Sequence, residues 1–151
     1  MENKAEESGI KQYIVVKIDN EQFGINIKYI DNIVRLQRIT RVPMSQEYFK
    51  GVINLRGEIL PVMSIRKKLG LADDVFGDKT RIIIAKVENA TVVIIVDEVK
   101  EVVTLEDESL ENVNYGNGDD MNSYISAVGK KGDELISILD ICSAIVENEN
   151  T

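Results

Sequence analysis

Few residues in this chain have the types and spacing that catalysis or metal binding requires. The 151 residues include no histidine, which removes the usual general base at neutral pH and the commonest metal ligand. Asp97 and Glu98 are adjacent carboxylates, but neighbours on a strand point to opposite faces and do not easily share a proton. The acidic residues between 107 and 120 lack the spacing of a calcium-binding loop. The sequence therefore predicts no enzyme, no metal site and no cofactor.

Composition narrows the class of protein further. The net charge is −8 and there is no tryptophan, which argues against a β-barrel that stacks single-stranded nucleic acid. A single cysteine, Cys142, allows no internal disulfide, and residues 1–9 are polar and acidic, unlike a signal peptide. We expect a cytoplasmic protein with one domain, residues 10–147, between a disordered tail at 1–9 and a short tail at 148–151.

The most distinctive stretch is a predicted β-hairpin that runs from Gly51 to Arg66. Its two apolar strands are joined at residues 54–57, where Gly57 can adopt a positive φ and the Asn54 side chain can bond the backbone two residues on. Pro61 cannot donate to a neighbouring strand, which places it at a sheet edge or a bulge. Ser64 is a typical N-cap, so a short helix should follow it.

The second half of the chain repeats the first. Residues 17–20 (Lys-Ile-Asp-Asn) match residues 86–89 (Lys-Val-Glu-Asn) at an offset of 69, and the apolar positions that follow stay in register. Beyond the next loop the offset is 76, which aligns Ser64 with Asp140. We interpret this as an internal duplication, with subdomain 1 at about 10–78 and subdomain 2 at about 79–147. Four or five strands in each copy suit a small β-barrel.

The duplication separates scaffold positions from candidate binding positions. Apolar residues present in both copies, such as Ile59 and Leu135, are predicted to be core. The tip of the hairpin differs, because residues 54–57 are Asn-Leu-Arg-Gly and residues 130–133 are Lys-Lys-Gly-Asp. The fold therefore does not require Asn54 or Arg56, which become candidates for partner binding. The alternative is that Arg56 is a solvated turn residue.

Charge is unevenly divided between the two halves. Residues 10–78 carry 11 Lys and Arg against 8 Asp and Glu, whereas residues 79–147 carry 6 against 14. One interpretation is that an acidic loop lies in the second half. The other is end-to-end docking, positive end to negative end, onto a partner of the same build.

The hairpin also carries a resemblance to a known family. Residues 51–57 (Gly-Val-Ile-Asn-Leu-Arg-Gly), followed by 59–62 (Ile-Leu-Pro-Val), closely resemble the signature of the CheW-like domain. Shorter matches occur in the same order, at Phe23-Gly24-Ile25, Val42-Pro43, Val96-Asp97-Glu98-Val99 and Leu139-Asp140-Ile141. The resemblance implies an all-β fold with short helices: two SH3-like five-stranded β-barrels across a shared core, and a C-terminal helix.

The family resemblance further implies a non-catalytic adaptor of bacterial chemotaxis. Such adaptors join the cytoplasmic tips of chemoreceptors, the methyl-accepting chemotaxis proteins, to the regulatory domain of the histidine kinase CheA in membrane-bound receptor arrays. The alternative within the family is a coupling protein of another chemosensory pathway, one that controls twitching or gene expression.

Position by position, the resemblance implies a receptor-facing groove. Its members would be Ile30, Asn32, Gly51, Asn54 and Arg56, with Ile30 offering apolar contact and Arg56 a planar donor fork. Many family members have Glu where this chain has Asn32, so no carboxylate is predicted to pair with Arg56 from that position. The kinase contacts are expected at apolar strand ends of the barrels, without assigned residues.

Overall fold

The computed structural model describes residues 9–43, 46–112 and 124–146. The predictions for residues 1–8, for the loop at 113–123 and for residues from 147 onward lie outside the described residues. The elements are β1 (Ile10–Ile18), β2 (Glu21–Asn26), β3 (Ile30–Arg35), β4 (Phe49–Leu55), β5 (Glu58–Ser64), α1 (Ile65–Lys68), β6 (Arg81–Val87), β7 (Ala90–Val96), β8 (Glu98–Glu106), β9 (Glu111–Asn112), β10 (Ile125–Lys131), β11 (Glu134–Leu139) and α2 (Ile141–Val146).

The strands form two sheets, and each sheet takes strands from both halves of the chain. We call the five-stranded sheet, in the order β3-β6-β7-β5-β4, barrel 1, and the six-stranded sheet, in the order β8-β1-β2-β11-β10-β9, barrel 2. A bridge between Thr40 and Val52 joins the extension of β3 to β4, and β9 pairs with β10 in the corresponding place in barrel 2. Each barrel therefore combines a hairpin from one repeat with strands from the other, and the division of the repeats near residue 78 stays a prediction.

Strand register confirms the internal duplication. Ile14 pairs with Ile25 in barrel 2, and the residues 69 positions later, Ile83 and Ile94, pair in barrel 1. The parallel pair Val62–Val93 likewise corresponds to Ile138–Gly24. Bulges also recur at matched places, after Phe49 in β4 and after Ile125 in β10. Because even these irregularities repeat, equivalent positions in the two barrels can be compared residue by residue.

Three apolar clusters make up the core. One lies between the barrels, and one lies inside each barrel. β7 faces two of them: Val92, Ile94 and Val96 belong to the cluster between the barrels, and Val93 and Ile95 to the interior of barrel 1. Five consecutive apolar residues, 92–96, predict a strand that is buried on both faces, and the structure confirms this.

Three predictions from the apolar pattern are corrected by the fold. The pattern from Thr91 to Leu105 predicts one strand, but the chain leaves one sheet for the other at Asp97. The alternation in residues 22–27 predicts that Ile27 points inward, but Ile27 begins a single turn of 3-10 helix and is 38% exposed. Ile59 and Leu135 are not core residues, since both lie on outer faces of the barrels with 61% and 60% exposure. The alternation of apolar residues predicts which face of the strand Ile59 and Leu135 lie on. Whether that face is covered depends on how the barrels pack.

Pro61 lies on β5, which has β7 on one side and β4 on the other. It pairs with Val52 of β4, and the pairing of β5 with β7 begins one residue later, at Val62. The missing N–H therefore falls where β5 has only one hydrogen-bonded neighbour, which reconciles proline with an internal strand.

Candidate functional site

The turn at Arg56-Gly57 is a two-residue hairpin loop. Leu55 pairs with Glu58, and the two residues between them have φ of 55° and 84°. Positive φ at both central residues defines a type I′ turn, which matches the twist of the flanking strands. The Gly57 N–H donates to the Asn54 side-chain oxygen at 3.1 Å. The predicted positive φ of Gly57 is thereby confirmed, whereas the Asn54 side chain bonds the backbone three residues on and not two as predicted.

Arg56 occupies a backbone position that favours glycine. Its φ is 55°, and the equivalent residue of barrel 2, Gly132, has φ of 62°. A non-glycine residue in this region costs of order 1 kcal/mol. The Arg56 side chain is exposed and forms no salt bridge with the described residues. Because the fold gains nothing visible from arginine here, this position is the strongest candidate for a role outside the fold.

Ile30 and Asn32 lie at the start of β3, on opposite sides of a bulge that contains Asp31. Ile30 pairs with Ala85 and packs, partly buried, on the cluster between the barrels. Asn32 pairs with Ile84, whose side chain faces the interior of barrel 1. From β3 to β4 the successive pairings are antiparallel, antiparallel, parallel and antiparallel. The start of β3 and the Arg56 turn are thus directed to the same end of barrel 1.

Gly51 lies away from this end of barrel 1, and the structure explains why this position needs glycine. Its φ is 139°, and a Cβ at this residue would overlap the carbonyl oxygen of Thr40. That carbonyl accepts from the Val52 N–H at 2.9 Å, and the Thr40 N–H donates back to the Val52 carbonyl at 2.8 Å. Glycine is therefore required for barrel 1 to close.

Two residues of the second half are the repeat equivalents of apolar residues in β3 and were not identified as site residues by the sequence reasoning. Val99 of β8 is the equivalent of Ile30 and packs, partly buried, on the same cluster between the barrels. Val102 is the equivalent of Ile33 and is 50% exposed on the outer face of β8. The offset of 69 was the signal that could have identified both. They are the corresponding candidate apolar positions of barrel 2.

A charged cluster around Arg66 joins the two barrels, and the sequence reasoning did not anticipate it. The Arg66 guanidinium donates to both oxygens of Asp97, at 3.3 and 2.7 Å, and lies 3.6 Å from Asp19 in the β1–β2 turn. Asp97 also accepts from the Asp19 N–H at 2.8 Å. The hydrogen bond to Asp97 raises the pKa of Arg66, and the Coulombic attraction of the nearby carboxylates adds to it. The cluster fixes the junction where the chain passes from barrel 1 to barrel 2.

The linker between the halves, residues 70–79, is held against barrel 1 by two carboxylates. Asp73 accepts from the Lys50 ammonium at 2.7 Å, and this hydrogen bond lowers the pKa of Asp73. Asp74 accepts from the Ser64 hydroxyl at 2.5 Å, but desolvation is the larger effect and raises the pKa of Asp74. Its second oxygen, Oδ1, is buried and has no hydrogen-bond partner among the described residues.

Within the described ranges, no group of three His, Cys, Asp or Glu side chains could hold a metal ion. In the same ranges, no helix is long and apolar enough to cross a membrane.

Two small β-barrels built from interleaved repeats around a common core define a β-rich scaffold fold. Residues 12–149 match the family model of the CheW-like domain. The chain belongs to this family.

Named relatives and a solved structure agree with this membership. The chain is 33% identical to the chemotaxis protein CheW of Bacillus subtilis, over 93% of this chain and 90% of that protein. It is 31% identical to the chemotaxis protein CheW of Thermotoga maritima, over 91% of each chain. The crystal structure of the scaffolding protein TtCheW from Thermoanaerobacter tengcongensis has a TM-score of 0.80 and 28% identity, covering 89% of this chain and 86% of that one. The predicted family and the predicted fold of two SH3-like subdomains are confirmed.

Proposed function

We propose that this protein is a non-catalytic adaptor of chemotaxis signalling that couples chemoreceptors to the histidine kinase CheA. Membership in the CheW-like family supports the class of function. The observation that carries the proposal at residue level is Arg56, an exposed arginine at φ 55° where the duplicate copy has glycine. The adaptor is cytoplasmic and is recruited to receptor arrays at the membrane.

The receptor surface comprises the end of barrel 1 that presents the Arg56 turn, together with the apolar residues beside β3. Arg56 and Asn54 supply polar groups for a receptor helix, and Ile30 supplies apolar contact. Val99 and Val102 extend the apolar part onto barrel 2. Asn32 is neutral, and the carboxylate at this end of β3 is that of Asp31, which lies 3.9 Å from the Lys86 ammonium. Gly51 contributes through the closure of the barrel rather than by contact.

Kinase docking uses the outer faces of the hairpins. Ile59 and Leu135 occupy equivalent positions and are 61% and 60% exposed, so each barrel presents one large apolar side chain beside its hairpin turn. Apolar anchors of this kind contribute most when a partner buries them completely. The excess of positive charge in residues 10–78 and of negative charge in residues 79–147 supports electrostatic steering between partners of the same build.

Titration calorimetry against the purified CheA regulatory domain from the same cell tests the proposal, at low and at moderate salt. We expect saturable one-to-one binding that weakens as salt rises. Ile59→Ser and Leu135→Ser should each weaken binding about tenfold or more, whereas Val75→Ser, a change at a linker residue that is 77% exposed, should not. Absence of binding with both proteins folded would contradict the kinase half of the proposal.

A further inference from the structure

Arginine is unevenly distributed in this chain. The sequence contains six arginines, of which Arg56 lies in the hairpin turn and Arg66 in the charged cluster between the barrels. The other four lie on barrel 1 and the segments next to it, and we call them the arginine patch: Arg35, Arg38, Arg41 and Arg81. With the residues that the structure describes, none of these four forms a salt bridge. The patch is therefore a set of uncompensated positive charges on a protein whose net charge is −8.

Two members of the patch lie directly opposite each other. Arg35 ends β3 and Arg81 begins β6, and the two residues pair in the antiparallel register of these strands. Like charges in this position destabilise a sheet. The Arg81 guanidinium donates to the backbone carbonyls of Asp78 and Thr80, at 3.0 and 2.8 Å, which are neutral acceptors. A neutral side chain at position 35 would suit the sheet better, so Arg35 indicates a role outside the fold.

The two segments that meet at this pair also form walls of one cavity, of about 670 Å³. The segment that follows Arg35 contributes Ile39 and Arg41 to it. The segment that precedes Arg81 contributes Phe76. Arg41 is exposed and Phe76 is 47% exposed, so this side of the cavity is open to solvent. A partner that reaches the arginines therefore also meets an apolar surface.

We propose that the arginine patch and this cavity bind an acidic peptide segment of a partner protein, one that carries an apolar side chain among its carboxylates. The planar guanidinium fork matches a carboxylate through two parallel hydrogen bonds. Arg38 and Arg41 follow Arg35 by three and six residues, which limits their backbone separations to about 10 and about 20 Å. An extended segment of about six residues spans that distance. Its apolar side chain contacts Phe76.

The charge of the rest of the chain favours a short peptide over a larger polyanion. Residues 79–147 carry 6 Lys and Arg against 14 Asp and Glu. An anionic bilayer or a nucleic acid extends beyond the patch and would meet these acidic groups at close range. A peptide covers the patch alone, and salt screens the more distant carboxylates beyond about 10 Å.

The patch is separate from the proposed receptor surface. Arg35 lies at the opposite end of β3 from Ile30 and Asn32. The inference therefore does not depend on the proposed adaptor function, and it is tested without receptor or kinase.

A fluorescent peptide tests the inference on the full-length protein. The probe is Asp-Glu-Asp-Leu-Asp-Glu-Asp, and its control has Asn and Gln in place of Asp and Glu. In anisotropy titrations at low salt, we expect the acidic peptide to bind about tenfold more tightly than the control. It should also shift the amide resonances of Arg38, Arg41 and Phe76.

Matched double variants separate the patch from general charge attraction. Arg35→Gln with Arg38→Gln should weaken binding of the acidic peptide about fivefold or more. The midpoint of urea unfolding should not fall, because the repulsion between Arg35 and Arg81 is relieved. Lys100→Gln with Lys130→Gln removes the same charge from exposed positions of barrel 2 and should weaken binding less than about twofold.

The apolar part of the inference has its own test. Phe76→Ser should weaken binding of the acidic peptide about threefold, and should have no effect on a peptide in which the central Leu is replaced by Gly. This difference would not arise if Phe76 affected only the folding of the protein.

Four results would overturn the inference. Equal affinity for the acidic and neutral peptides would mean that the patch does not recognise carboxylates. Equal weakening by the two double variants would mean that the attraction is diffuse. Phosphatidylglycerol vesicles that bind the protein through the arginines, when the peptide does not bind, would identify a membrane surface. A dimer of this chain that the arginine variant dissociates, again without peptide binding, would identify a second copy as the occupant.

Discussion

Arg56 and Gly132 occupy the same place in two copies of one hairpin, with φ of 55° and 62°. The backbone there is left-handed in both copies, and only one of them has the residue type that adopts it without strain. The duplication thus provides an internal reference for this one position. The next residue of the turn differs, because Gly57 has φ of 84° whereas its equivalent, Asp133, does not have a positive φ.

Arg56→Gly should separate binding from folding. Removing the side chain also relieves the strained φ, so we expect the free energy of unfolding to stay the same or to rise by up to about 1 kcal/mol. Binding to the receptor tip should weaken about tenfold, because the donor fork is lost. Urea denaturation and a receptor co-sedimentation assay measure the two effects.

The matched change in the second copy, Gly132→Arg, should do the opposite. Arginine at φ 62° is strained, so stability should fall by about 1 kcal/mol while receptor binding is retained. If Arg56→Gly instead melted well below wild type, Arg56 would be a structural residue and the receptor assignment would lose its main support.

Gly51→Ala tests the explanation of the other glycine in the motif. A Cβ there meets the Thr40 carbonyl, so we expect a loss of about 2 kcal/mol or more. Hydrogen exchange should accelerate at the Thr40 and Val52 amides, which form the bridge that closes barrel 1. Unchanged protection at these amides, together with impaired receptor binding, would show that Gly51 acts at the receptor surface itself.

Arg66→Ala should destabilise the protein by about 2–4 kcal/mol, because it leaves Asp97 partly buried beside Asp19 without its partner. The side chains of Arg66 and Asp97 are only 11% and 24% exposed. The control is Lys79→Ala, which removes a 3.9 Å contact to Glu98 from a side chain that is 74% exposed. Its effect should stay below about 1 kcal/mol. Similar losses in both variants would mean that the cluster contributes no more than a surface pair.

Asp74 should make stability fall as pH rises. Its folded pKa lies above the ordinary value of 3.8, so the native state binds more protons than the unfolded state across that interval. The stabilising contribution is complete below 3.8 and is lost as pH rises through the folded pKa. Asp74→Asn should remove this decline in urea unfolding measured across the acidic range.

Asp73 provides the opposite sign for comparison. Its pKa is lowered by the hydrogen bond from Lys50, so its contribution is present above 3.8 and is lost as pH falls through the folded pKa. Asp73→Asn should therefore lower the free energy of unfolding above pH 3.8 and make its fall at more acidic pH shallower. If Asp74→Asn showed the same pH dependence as wild type, the Asp74 carboxyl would be solvated rather than buried.

The parts of the fold that local chemistry determines were predictable from the sequence. Asn54 and Gly57 indicated a tight turn through their side chain and φ, and the matched offsets indicated the duplication that the strand register confirms. The exchange of hairpins between barrels was not predictable, because the offset shows that strands are equivalent but not which strands pair.

The errors have a common physical origin. Ile59 and Leu135 follow the strand alternation correctly, but whether an outer face is covered depends on how the second barrel packs against it. The Arg66–Asp97 pair joins residues 31 positions apart on different elements, and nothing in the local pattern of either residue indicates the other. The sequence therefore predicted individual residues of the candidate site, but not how they are arranged on the surface.

The most direct test of the adaptor function is co-sedimentation of CheA with receptor-containing membranes, with and without this protein, using all three components from the same cell. We predict that CheA pellets with the membranes only when the protein is present, and that Arg56→Glu abolishes this recruitment while the variant still binds CheA in solution. Two results would contradict coupling through this chain. One is that CheA pellets equally well without this protein. The other is that CheA fails to pellet in its presence, although purified CheA and purified receptor each bind this protein.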